Sequence, residues 1–170
     1  MHSKRRLILV TLIAWFSMLG FDFLLHAGVL AQLYEAPSSF LRPPMEAFAL
    51  IPVGYVSFLL FAILLTWLMK RLNVVGWRAG AVFGAQLGAL VWGALALGLF
   101  SVSTASASLL IGWLIGQTLE LALAGAVVGS GLAGARLGWL FGVVLALVVL
   151  SAVAAIVLQT LGVAPSQRVS

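Results

Sequence analysis

The chain has no cysteine, and its 170 residues include only four acidic and nine basic side chains. Without cysteine there can be no disulfide, no thiolate metal site and no thiol nucleophile. Charged residues make up 8% of the chain, against about 25% in ordinary soluble domains, too few to coat a water-soluble fold. Several motifs are missing as well: a glycine-rich phosphate loop, paired histidines at helical spacing and a Gly-x-Ser-x-Gly elbow. Catalysis on a soluble substrate is therefore not expected. No cofactor is expected either, and no metal ligand set can be assigned.

What the chain has instead is hydrocarbon. It is 64% hydrophobic, with a mean hydropathy of +1.22. Apolar runs cover about residues 7–30, 46–69, 79–100, 106–131 and 137–161. Each holds 22 to 26 residues, and a helix needs about 20 to cross about 30 Å of hydrocarbon. In lipid every backbone polar group must be satisfied within its own segment, so each run is predicted to be a helix. The expected fold is all-α, a polytopic membrane bundle of about five transmembrane helices forming one domain over residues 1–170. The closest boundary falls between the fourth and fifth runs, where Gly125, Gly129, Gly131 and Gly134 precede Arg136. Arg136 argues for a turn there rather than one broken helix.

Lys4, Arg5, Arg6, Lys70, Arg71, Arg78 and Arg136 all fall on one side of this topology, and Arg42 and Arg168 on the other. The net charge of +5 thus reads as a topology signal and not as a nucleic-acid surface. The positive-inside rule predicts an N-in, C-out protein, with a bacterial cytoplasmic (inner) membrane as the expected location. Trp67, Trp77 and Trp139 lie near the cytoplasmic ends of their spans, where indoles favour the headgroup layer. An alternative at the N-terminus is a secretory signal, since Lys4-Arg5-Arg6 precedes an apolar run ending in Val29-Leu30-Ala31. The run is longer than the usual 7 to 15 residues and carries Asp22 and His26, which argues against cleavage.

Glycines recur every four residues at Gly76, Gly80, Gly84 and Gly88, at Gly112 and Gly116, at Gly125 and Gly129, and at Gly134, Gly138 and Gly142. Such faces let helix backbones approach closely, so spans three to five are expected to form the tight core. Arg78, Gly80, Phe83 and Gly84 are echoed at Arg136, Gly138, Phe141 and Gly142, as two duplicated hairpins would produce.

Only Asp22, His26 and Glu120 are ionisable within the runs. Ionisable groups inside a membrane are costly and often functional. Asp22 and His26 are one helical turn apart and can touch. They form either a mutually satisfied pair or a site for a proton or cation. Glu120 has Gln117 one turn earlier on its face, with Gln86 of span three as the expected partner. By helical rise Asp22 should lie toward the outer leaflet and Glu120 near or below the midplane, about 10 Å apart. The first outer loop adds Tyr34, Arg42 and Glu46, as a binding surface, a lid over Asp22 and His26, or a simple Arg42–Glu46 pair. Two functions are compatible with these features. One is a small transporter or channel-like protein moving protons, a small cation or a small solute past Asp22, His26 and Glu120. The other is a non-catalytic accessory subunit of a larger membrane complex. The expected partners are the lipid bilayer, and either further copies of the chain or other subunits.

Overall fold

The computed structural model describes residues 3–35 and 38–165. His2, Arg168 and the Ala36–Pro37 part of the first outer loop lie outside the described residues. Helices α1 (Lys4–Leu24), α2 (Pro44–Ala49), α3 (Ile51–Arg71), α4 (Trp77–Val102), α5 (Ala107–Leu132) and α6 (Leu137–Thr160) follow in order, and no strand occurs among the described residues. Five segments are long and apolar enough to cross a membrane: Lys4–Val29, Ile51–Arg71, Trp77–Val102, Ala107–Leu132 and Leu137–Thr160. The protein is an all-helical bundle of membrane-spanning length.

Local chemistry explains the differences from the sequence boundaries. The second run is not continuous from residue 46, because α2 ends at Ala49 and α3 starts at Ile51 across Leu50. Pro52 is the cause. It sits in the first turn of α3, where its missing N–H costs nothing, but it could not continue a helix from Glu46 without clashing with the previous turn. Span one runs on past Leu24 as a π-helical turn, Leu25–Val29, and then a 3-10 turn, Ala31–Tyr34. Spans four and five are separate. Gly134, in the turn between α5 and α6, takes φ +92, a conformation that favours glycine.

The glycine expectation is corrected in part. Helices α4 and α5 do meet backbone to backbone: a Cβ on Gly80 would strike the Gly125 carbonyl, one on Gly84 the Leu121 carbonyl, and one on Gly129 the Gly76 carbonyl. The Gly76 amide donates to the Gly129 carbonyl at 2.9 Å, tying this pair together at the basic end of the bundle. Gly134, Gly138 and Gly142, however, have open space where a Cβ would sit, so α6 does not join the core through its own glycines. It packs on α1 instead, where Gly20 accepts Val148 and Gly28 lies against Ala155 and Leu158. The echoed glycines are therefore used differently in the two hairpins.

The core centres on span one rather than on spans three to five. Helix α1 packs on α3, α5 and α6, and Val10, Ala14 and Met18 join Ala62, Leu65, Met69, Leu121, Ala124 and Val128 in one buried cluster. Leu65, Met69, Ala124 and Val128 have no measurable exposure, so they exclude solvent and lipid alike. Loss of this first segment by cleavage would remove the helix that the other three share. Helix α4 is peripheral: 11% of its most apolar stretch is buried, against 39% for α5.

Candidate functional site

The helices settle how the ionisable groups are arranged. Helix α1 runs antiparallel to α5, with Val10 filling the gap left by Gly131 and Leu25 the gap left by Gly116. Interpolation between these two contacts puts Glu120 level with Phe21 and Asp22. The two carboxyls therefore share a level in place of the difference in depth expected from helical rise, because the ends of α1 and α5 are staggered.

Asp22 and His26 are in contact, with Asp22 Oδ1 3.1 Å from His26 Nε2. The other ring nitrogen, Nδ1, is 2.5 Å from the Tyr34 hydroxyl, and Trp113 Nε1 donates to that same hydroxyl at 2.7 Å. One proton arrangement satisfies every group: Nε2–H donates to Asp22, the Tyr34 O–H donates to Nδ1, and the indole N–H donates to the Tyr34 oxygen. Burial pushes the Tyr34 phenol up to about 12; the indole hydrogen bond opposes this and the negative charge of Asp22 adds to it. Tyr34 therefore keeps its proton over the whole physiological range and serves as a donor. The π-helical turn holding His26 adds a residue to the turn and re-aims the ring toward the 3-10 turn that carries Tyr34. The site is half-buried, with the His26 and Asp22 side chains 31% and 18% exposed.

Glu120 has a different environment. It has no exposure at all, and neither carboxyl oxygen has a hydrogen-bond partner among the described residues. Gln117, one turn earlier on the same helix, is buried as well. Leaving a buried polar group unsatisfied costs about 1–3 kcal/mol. Helix packing elsewhere in the bundle has to offset that cost.

Gln86 does not partner Glu120. It is exposed, on the side of α4 away from the Gly80, Gly84 and Gly88 face that meets α5. Spacing along the chain gave its depth and not its direction. In the outer loop, Tyr34 turns inward to His26, while Arg42 and Glu46 stay exposed and pair with each other at 3.5 Å. They form no lid over the site. Among the described residues no three His, Cys, Asp or Glu side chains converge as metal ligands.

Two contributors have no expectation behind them in the sequence reading. Trp113 shares a helical face with Gln117 and Glu120, a spacing that could have singled it out. Arg6 looked like one of a basic cluster, yet its guanidinium donates to the Gly131 carbonyl at 3.1 Å and to the Ala135 carbonyl at 2.6 Å, capping the end of α5. No protein-family model, curated protein or solved structure matches this chain.

Proposed function

We propose that the protein is a non-transporting, non-catalytic accessory subunit of a bacterial inner-membrane assembly, its N-terminus in the cytoplasm. The observation that supports this reading is where two cavities of the bundle lie. One cavity, of about 290 Å³, is apolar and opens between α1, α3 and α6 beside Leu19, Phe23, Tyr55 and Val148. A second, of about 150 Å³, lies at the outer end among Leu33, Ser38, Ser39 and Thr104. Neither is lined by Asp22, His26 or Glu120. A conducting path needs polar space for water or an ion between its relay groups. Leucine and valine side chains fill the α1–α5 glycine gaps on either side of Glu120 instead.

The test is flux. Purified protein in proteoliposomes under an imposed pH gradient is expected to pass protons no faster than protein-free vesicles. Flux that disappears on Glu120→Gln would overturn the proposal. That result would favour the second reading, a proton-translocating protein, whose support is the unsatisfied Glu120 carboxyl level with Asp22. Native membranes extracted directly into nanodiscs should carry the chain in particles larger than a monomer.

A further inference from the structure

Gln86 presents a problem that α4 cannot solve alone. The α4–α5 contacts of Gly84 with Leu121 and of Gly88 with Thr118 set Gln86 level with Leu119 and Glu120. Glu120 is near the middle of the Ala107–Leu132 span. Gln86 therefore presents a primary amide to the outside of the bundle at mid-membrane depth. An amide facing hydrocarbon forfeits up to four hydrogen bonds, a cost removed only if another polar group meets it.

The surroundings of Gln86 fit one occupant. Ala79, Val82, Gln86, Ala89, Gly93 and Ala96 recur at alternating three- and four-residue steps, the spacing of a helix–helix seam. Ala79, Val82, Gln86 and Ala89 are exposed, and all but Val82 and Gln86 are alanine or glycine, so a second helix could approach closely. A primary amide is both donor and acceptor. Across a two-fold axis along the membrane normal, each Gln86 N–H would meet the other's carbonyl, an arrangement no lipid acyl chain can supply. A lone polar residue in an apolar seam is also the device that fixes register and partner number in helical dimers. We infer that two copies of this chain associate through parallel α4 helices, with the Gln86 side chains hydrogen-bonded to each other at the centre. The contact would form whether the protein transports or only scaffolds.

The absence of cysteine makes the test direct. Gln86→Cys, Val82→Cys and Ala89→Cys, treated in membranes with a short bis-maleimide, should each give a band of twice the 17.9 kDa chain. Leu119→Cys, on an exposed face of α5, should not. Gln86→Leu should weaken dimerisation measured by energy transfer in bilayers about threefold to thirtyfold, the range for one interhelical hydrogen bond in a membrane. Gln86→Asn should restore part of it, and an unchanged melting temperature in detergent shows that the variants fold. Three outcomes would overturn the inference: equal cross-linking at Leu119→Cys, cross-linking at position 86 only to a different protein, or dimerisation untouched by Gln86→Leu in a folded variant.

Discussion

The two ends of the bundle are packed to different degrees. At the end carrying Arg6, Lys70, Arg71, Arg78 and Arg136, α3 buries Ala62, Leu65, Thr66 and Met69 against α1. There the Thr11 and Thr66 hydroxyls meet at 3.1 Å, the Gly76–Gly129 backbones are bonded, and Arg6 closes the end of α5. Arg71 and Arg78 stack over Trp67 and Trp77, which are exposed, as interfacial anchors would be. At the other end α3 has no buried residue before Phe58, and both cavities lie there. Around the buried Leu25, Leu30, Leu109 and Leu110, polar side chains add further ties: His26, Tyr34 and Trp113 are linked, Gln32 donates to the Val163 carbonyl and Gln159 to the Ala27 carbonyl. Close packing tolerates no added volume, whereas an end that carries cavities opens locally at lower cost. The basic end is thus the rigid foundation and the outer end the adaptable one.

The largest effect should come from added volume in the basic half, where a closely packed glycine and an open one can be compared. Gly84→Leu forces a side chain into the Leu121 backbone and should cost about 3 kcal/mol or prevent folding, read as a lost monodisperse peak and a lowered melting temperature. Gly142→Leu, where the space is open, should leave both unchanged. Equal tolerance at the two glycines would erase the distinction between the α4–α5 contact and the outer face of α6.

Next in size is Arg6→Ala. It strips charge-assisted bonds from the Gly131 and Ala135 carbonyls and should destabilise by about 1.5–3 kcal/mol in detergent unfolding. The opening should be confined to the basic end, with hydrogen exchange rising around residues 129–136.

Tyr34→Phe should cost about 1–2 kcal/mol, since it leaves His26 and Trp113 without their shared partner. Exchange should rise in residues 25–35 while the α4–α5 contact stays protected. A pH titration refines this. In a Tyr55→Phe background, absorbance of the Tyr34 phenolate should appear with a midpoint near 12. In the unfolded chain the phenol ionises near its ordinary value of about 10. Because the folded value is the higher one, the stability it contributes is complete below about pH 10 and falls as pH rises toward 12. A midpoint at the ordinary value would mean that the phenol is open to water.

The smallest effect belongs to Arg42→Ala. Its exposed pair with Glu46 should be worth within about 0.5 kcal/mol, so an unchanged melting temperature is expected.

The membrane class, the separate crossings and the basic end were legible in the chain because each depends on local composition: run length against bilayer thickness, and the placement of lysine and arginine. The Asp22–His26 contact was legible for the same reason, since four residues make one turn. Glycine spacing identified the α4–α5 contact but misassigned α6, because a small-residue face allows close approach without naming the neighbour. Pro52 was visible in the sequence, yet its break was passed over within a long apolar run.

Other features arise only when helices distant in sequence meet. Tyr34 and Trp113 lie 79 residues apart and share one hydroxyl. Arg6 reaches over 125 residues to the end of α5. Glu120 stands level with Asp22 because Val10 and Leu25 seat in the gaps of Gly131 and Gly116, a register that no periodicity within either helix contains. Gln86 turns outward because α4 gives its glycine face to α5. Composition decides that such helices lie in lipid, whereas side-chain volumes across their interfaces decide depth and direction, since each knob has only one hollow that fits.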